Sequence, residues 1–289
     1  MKNFRIKLVQ TSLGLSDRIR YRKRSYDFPS LNVVRNLFYC EEEPENPTYS
    51  LDLYLPEESK ELLPVLIDIH GGGFVYGNKE LNQWTSSEMA SRGYIVVALN
   101  YPLIPHATIP EQLKALHQAF TYIATLADNY PMDLNRVFLK GDSAGGFLAM
   151  LSASISRSGD NNSLNDHEQM PLDFKGLALI HPIIDIKRKG LLGYTDHFYY
   201  SRKSRLRYTT QHLNQLPPTW IVSSRNDVMF NKEARKFVRW MQRLGKPVQY
   251  HEFDYSLQRP LIHIFMVTMN TLPESQMLYD SLDHFLRLL

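Results

Sequence analysis

Residues Gly141-Asp142-Ser143-Ala144-Gly145-Gly146 set a serine between glycines placed two positions away on either side. The apolar run Val137-Phe138-Leu139 precedes this segment, and Phe147-Leu148-Ala149-Met150-Leu151 follows it. The pattern predicts a sharp strand-to-helix turn with the serine at its apex. Glycine is needed there because the backbone packs closely on both sides of a strained residue. Such a turn lifts the hydroxyl clear of the sheet and aims it into a pocket at the positive end of the following helix. The chemistry this suggests is nucleophilic attack, and a serine hydroxyl needs a base to perform it.

Upstream, the strand-like run Pro64-Val65-Leu66-Ile67-Asp68-Ile69 leads into His70-Gly71-Gly72-Gly73-Phe74. Three consecutive glycines free the backbone to turn N–H groups toward a ligand. Read alone, they are equally well a flexible loop. Paired with the serine turn, they read as an oxyanion hole, in which amides meet the charge that develops during acyl transfer. The expected donors are the N–H groups of Gly72, Gly73 and Ala144. His70, Phe74, Tyr76, Tyr101 and Asp142 flank these motifs and are expected to contact substrate.

A base and its orienting carboxylate must come from farther along the chain, in the order Ser, Asp or Glu, then His. The run Thr219-Trp220-Ile221-Val222-Ser223 enters a loop carrying Asp227, the expected acid. The next strand-like run, Val248 to Phe253, leads to a loop carrying His263, the expected base. Rival candidates are weaker. His251 lies inside a strand pattern. His181 ends the strand-like run Leu177 to Ile180 and could reach the site, but it precedes Asp227. Asp254 follows the wrong strand, and Asp142 is also read as a brace for the turn. His106, His117, His167, His212 and His284 read as structural or exposed.

With these motifs, the chain resembles the α/β-hydrolase superfamily and, within it, the hormone-sensitive-lipase-like carboxylesterases. That group pairs His-Gly-Gly-Gly with Gly-Asp-Ser-Ala-Gly. The run Leu51-Asp52-Leu53-Tyr54-Leu55-Pro56 also resembles the leading strand of small acetyl-esterase and feruloyl-esterase-like members. The resemblance spans about residues 34 to 289. Three stretches depart from the group's pattern and bear on pocket shape. Tyr101-Pro102-Leu103-Ile104-Pro105-His106 stands where Tyr-Arg-Leu-Ala-Pro-Glu is common. Ile264 follows the expected base where glycine is common. Gln258, Arg259 and Pro260 precede it. The resemblance implies a Ser143-His263-Asp227 triad, a covalent acyl-enzyme, short acyl groups, no cofactor, and pairing into homodimers in some relatives. An amide or peptide hydrolase of the same superfamily, arylformamidase-like or exopeptidase-like, would carry the same triad. A non-catalytic hydrolase-fold binding protein is the third reading, less favoured because every triad position is filled.

The rest of the chain fits the elements that would position these residues. Its 289 residues and 43% hydrophobic content suit one α/β domain with a large core. Strand-like and helix-like runs alternate, which predicts a mostly parallel central sheet with helices on both faces. Val33 to Cys40 and Tyr49 to Leu55 flank the acidic stretch Glu41-Glu42-Glu43-Pro44-Glu45-Asn46-Pro47 and predict an antiparallel leading hairpin. Asp160-Asn161-Asn162-Ser163 reads as a surface loop. Residues 1–32, with Arg18, Arg20, Arg22, Lys23 and Arg24, and residues 187–216, around His197-Phe198-Tyr199-Tyr200, are expected to form a small cap.

Composition argues against other classes. The net charge is only +3, so the basic runs read as solvated cap surface, and no nucleic-acid module is visible. The N-terminus lacks the apolar core of a signal peptide, and no stretch approaches the roughly 18 apolar residues of a membrane span. A cytoplasmic enzyme acting on a small-molecule ester, without membrane contact, is expected. The single cysteine, Cys40, can form no internal disulfide. Metal-ligand spacings such as His-Glu-x-x-His are not present, so no metal is expected.

Overall fold

Apolar runs of five to eight residues alternate with amphipathic stretches along this chain, and the fold follows that rhythm. The computed structural model describes residues 2–21, 31–57, 59, 61–158, 171–184, 215–254 and 260–289. The described strands are β1 (Leu31–Phe38), β2 (Ser50–Pro56), β3 (Leu63–Ile69), β4 (Ile95–Leu99), β5 (Met132–Asp142), β6 (Phe174–Ile180), β7 (Thr219–Ser224) and β8 (Val248–Phe253). The described α-helices are α1 (Lys2–Tyr21), α2 (Gln83–Ser91), α3 (Ile109–Leu126), α4 (Ser143–Ser158), α5 (Asn231–Arg243), α6 (Phe265–Thr268) and α7 (Pro273–Arg287).

The strands form one eight-stranded sheet in the order β1-β2-β4-β3-β5-β6-β7-β8. β2 runs antiparallel to both β1 and β4, and every other pairing is parallel. The antiparallel leading hairpin and the parallel body agree with the sequence. All five residues of β4 are buried, as a strand covered on both faces requires. Its side chains alternate between two cores. Ile95, Val97 and Leu99 join the core under α1, α3, α4 and α5, whereas Val96 and Ala98 join the core under α2, α6 and α7. α3 starts at a capping box, with Thr108 Oγ1 accepting the Glu111 N–H and the Glu111 carboxylate accepting the Thr108 N–H.

Two boundaries shift from the sequence reading. The sheet begins at Leu31, so residues 31 and 32 belong to β1 rather than to a cap. Leu216 is buried in the body core, so it too belongs to the sheet domain. Cys40 is buried just beyond β1, where its thiol donates to Glu42. The expected loop at 160–163 and cap residues 187–214 lie outside the described residues. Among the described residues, no helix is long and apolar enough to cross a membrane.

A row of polar residues interrupts the second core. Asp68 and Lys140 stand opposite each other in the β3–β5 register. Lys140 Nζ donates to Asp68 Oδ2 at 2.7 Å, with both side chains fully buried. α2 closes over them: Ser86 Oγ (3.1 Å) and, from the turn before the helix, Asn82 Nδ2 (3.0 Å) also donate to Asp68. Lys140 Nζ donates in addition to Thr85 Oγ1. A buried pair of this kind costs little while every group is satisfied and much when one partner goes. Lys140→Ala should therefore lower unfolding stability by about 3–5 kcal/mol, read from urea denaturation followed by tryptophan fluorescence. Asp68→Leu combined with Lys140→Met should recover much of that loss. A single variant within about 1 kcal/mol of the parent would contradict the account.

Candidate active site

Ser143 sits where β5 ends and α4 begins, with φ of 50°, in the left-handed region that L-residues avoid. Close backbone packing holds it there. A Cβ on Gly145 would lie 2.0 Å from the Ile69 carbonyl oxygen, and one on Gly141 would lie 2.4 Å from the Gly145 carbonyl oxygen. Only glycine permits either approach. Ala144 is the second residue of α4, so its N–H belongs to the first helical turn, whose amides lack intrahelical partners.

The loops after β7 and β8 bring two further groups to Ser143. The Ser143 hydroxyl lies 2.9 Å from His263 Nε2, and His263 Nδ1 lies 2.7 Å from Asp227 Oδ2. A neutral imidazole with its proton on Nδ1 donates to Asp227 and accepts from Ser143. Asp227 Oδ1 accepts the Phe230 N–H at 3.2 Å, so the first turn after β7 holds the carboxylate. The Phe230 ring stands 5.0 Å from the His263 ring. Burial alone would raise the Asp227 carboxyl, but donors from His181 and His263 outweigh it and hold the group well below the usual carboxylate range. Asp227 is 2% exposed and Ser143 7%, while the His263 side chain keeps 21% exposure.

His181 is the residue that sequence reasoning set aside. It caps the end of β6, fully buried, and its Nδ1 lies 3.0 Å from the same Asp227 Oδ2. The chain-order rule excluded it as the base, and it does not contact Ser143 in the described hydrogen bonds. Its position at the end of a central parallel strand was the available signal. His181, Asp227 and His263 offer donor atoms within 4.8 Å of one another, close enough for a metal ion. The Nδ1 atom of each imidazole already has the Asp227 oxygen as its partner, which accounts for their closeness. Asp254, the other rival, lies away from this cluster and pairs with Arg225.

The glycine loop follows β3. Gly72, Gly73 and Phe74 all have positive φ, at 113°, 62° and 68°. A Cβ on Gly72 would fall 1.8 Å from the Tyr76 carbonyl oxygen. The Val75 and Tyr76 N–H groups both donate to the Gly72 carbonyl oxygen, closing the loop into a tight turn. The Gly71 N–H donates to Asp142 Oδ1 (3.1 Å), which also accepts from Asn82 Nδ2 (2.8 Å).

The residues expected to contact substrate divide. Tyr76 lines a cavity of about 680 Å³ with Gln10, Gly14 and Leu15 of α1 and with Leu81 and Leu103. The other four are buried, and the contacts described for them hold the loop. Asp142 is fixed by Gly71 and Asn82, and burial pushes its carboxyl up. The Tyr101 hydroxyl donates to the His70 carbonyl oxygen at 2.7 Å, and its ring stacks on that of His70. Phe74 is fully buried against Phe147. His70 Nδ1 donates to the Gly71 carbonyl oxygen at 2.7 Å. α1 flanks the loop, with Ile6 in the core and Gln10 Nε2 donating to the Val75 carbonyl oxygen at 2.9 Å.

His70 makes the loop sensitive to acid. Burial pushes its imidazolium from 6.5 down to about 4, against the pull of the Gly71 carbonyl. Between those values the unfolded chain binds a proton that the folded chain refuses. Stability from this residue is therefore complete above 6.5 and falls as pH drops toward 4. The urea midpoint should fall between about pH 7 and about pH 5, and His70→Gln should flatten that slope by at most about 1.4 kcal/mol per pH unit. Equal slopes in the two proteins would refute this.

A model of the BD-FAE family matches residues 51–197, about half of the chain. The chain is 24% identical over 236 residues to an alpha/beta hydrolase of Acanthamoeba polyphaga mimivirus, an alignment covering 72% of this chain and 65% of that protein. It is 32% identical over 125 residues to isoprenylcysteine alpha-carbonyl methylesterase of Arabidopsis thaliana, covering 43% and 28%. The chain thus spans less than two thirds of the length of either relative. Among solved structures, esterase B from Lactobacillus rhamnosis inhibited by a tributyrin phosphonate matches with a TM-score of 0.85 at 24% identity, over 98% of this chain and 97% of that one. The hyperthermophilic esterase from the archaeon Pyrobaculum calidifontis matches with a TM-score of 0.74 at 19% identity, over 97% and 90%. The family match runs from β2 through the glycine loop and the serine turn to beyond β6, and the fold likeness extends over nearly all the rest: the chain belongs to the BD-FAE family and has the α/β-hydrolase fold.

Proposed function

We propose that this protein is a serine carboxylesterase that cleaves short-chain acyl esters through a covalent acyl-enzyme. The observation that carries the reading is the unbroken relay from Ser143 through His263 to Asp227, at 2.9 and 2.7 Å, at the apex of a strained turn. His263 takes the hydroxyl proton as Ser143 attacks the ester carbonyl, and Asp227 stabilises the imidazolium that forms. The negative oxygen of the tetrahedral intermediate meets amides of Gly72, Gly73 and Ala144. His263 then protonates the leaving alcohol. Water activated by the same ring releases the acid and regenerates the serine.

Relatives support the ester bond as the target. The methylesterase relative and the esterase structures both point to carboxylic esters. A short acyl group is favoured by the four-carbon chains of the tributyrin phosphonate that inhibits the Lactobacillus esterase. α1 and Tyr76 bound the cavity beside the glycine loop, which suits a cap role for the N-terminal segment.

Ser143→Ala should lower kcat for p-nitrophenyl acetate by at least about 10³-fold while leaving the melting curve in place. A fluorophosphonate should add its mass to the parent protein and not to the variant. Turnover retained by the variant would sink the reading, and faster cleavage of aminoacyl amides than of esters would shift it to amide hydrolysis. Gly72→Ala should lower kcat by about 10²-fold or more, because the loop must move off the Tyr76 carbonyl and take its amides with it. Parent-like kcat in that variant would remove the glycine loop from the mechanism.

A further inference from the structure

We propose that His181 is a positioning residue for the catalytic base, sharing Asp227 Oδ2 with His263 and so setting both the pose of the carboxylate and the charge it presents to the reacting imidazole. The inference rests on the esterase reading above. Its ground is the count of donors on one carboxylate. Oδ2 receives two imidazole N–H groups, His263 Nδ1 at 2.7 Å and His181 Nδ1 at 3.0 Å, while Oδ1 receives the Phe230 amide at 3.2 Å. The triad needs only one of the two imidazoles.

The geometry fixes which form His181 takes. Its Nδ1 faces a carboxylate oxygen, so the proton is on Nδ1. Among the described residues, its Nε2 is buried with no hydrogen-bond partner. A proton there would be an orphaned donor on a buried cation 5.7 Å from the His263 ring. Burial also disfavours the imidazolium, against the pull of Asp227. His181 therefore stays neutral while His263 cycles. The ring is clamped edge-on by His263 and Phe265, at 5.7 and 5.4 Å, and its backbone is held at φ of 45°. A phenyl ring would satisfy that packing without burying a bare nitrogen, so packing alone does not account for an imidazole here. Among the described residues, the other charged group that faces this cluster is Asp142, from the end of β5, which interacts with His263; Asp227 enters from the loop after β7.

The direction of the effect follows. A second donor draws charge from Oδ2, so less is left to stabilise the imidazolium on His263. With that donor gone the imidazolium is favoured, the base is lost at a higher pH, and the acidic limb of kcat/KM moves up. The carboxylate also loses a lateral restraint, which lowers kcat rather than raising KM.

The test compares His181→Phe with His181→Asn. Phenylalanine keeps the ring and loses the donor. Asparagine can place its amide N–H where Nδ1 was and tolerates the left-handed backbone. In kcat/KM profiles on p-nitrophenyl acetate, His181→Phe should move the acidic limb up by about half a pH unit or more and lower kcat about tenfold at unchanged KM. His181→Asn should keep the parent limb. A folded His181→Phe with the parent limb and kcat overturns the proposal. A direct measurement on the parent protein decides it if His181→Phe does not fold. In ¹⁵N-histidine NMR, the signals lost in His181→Asn should report a neutral ring protonated on Nδ1 between about pH 5 and about pH 8. A neutral ring with its proton on Nε2, or a ring that gains its second proton within that range, overturns it. This reading of the tautomer does not depend on turnover, so failure of the parent protein to react with a fluorophosphonate would tell against the esterase reading separately.

Discussion

The first turn of α4 lies so close to the ends of β3 and β5 that there is no room for a side chain between them. Gly145 rests against the Ile69 carbonyl and Gly141 against Gly145. That contact holds Ser143 at a backbone angle it would not adopt alone and fixes its hydroxyl at the carboxyl edge of the sheet. The strand order does the rest. β5, β6, β7 and β8 are consecutive parallel neighbours, so the chain segments that follow each of them leave the sheet side by side. Ser143, His181, Asp227 and His263 each come from one of those four exits. A histidine 120 residues away from the serine along the chain thus becomes its hydrogen-bond partner.

Beneath this edge, a buried polar row ties the sheet to the glycine loop. Lys140 and Asp68 pair across adjacent strands, Asn82 donates to both Asp68 and Asp142, and Asp142 receives the Gly71 amide. The position of the glycine loop is thereby referred to strand register through buried polar groups. The two buried carboxylates and one ammonium of this row are costly unless every donor and acceptor is matched. The reward is that a loop of three glycines, otherwise the most mobile kind of backbone, is held from below by Asp142 and Tyr101.

Backbone strain collects at the same place. Of the non-glycine residues with positive φ, Phe74, Ser143, His181 and Ile264 all lie in or next to the site. Each sits where the chain leaves a strand or a loop and must turn at once to present a group. Ile264 shows the cost: a β-branched residue at φ of 52° occupies the position after His263 where the resembling esterases commonly have glycine. Such a residue persists only because its surroundings over-determine it, here the packing of α6 against the second core.

The serine turn, the glycine loop, Asp227 and His263 were legible in the sequence because each depends on local chemistry: glycine spacing, a strand end, and chain order. The sheet and its antiparallel leading hairpin were legible for the same reason, from apolar runs and turn residues. The bracing contacts of His70, Tyr101 and Phe74 under the glycine loop were not legible, because proximity in sequence to a motif does not say which side of the loop a side chain takes. The second imidazole on Asp227 was also beyond the sequence. Its bond to the carboxylate depends on β6 lying between β5 and β7, and strand order is set by the packing of the whole sheet rather than by any one segment. The residue types that could catalyse were thus fixed by the chain, and which oxygen each one reaches was decided only when distant strands became neighbours.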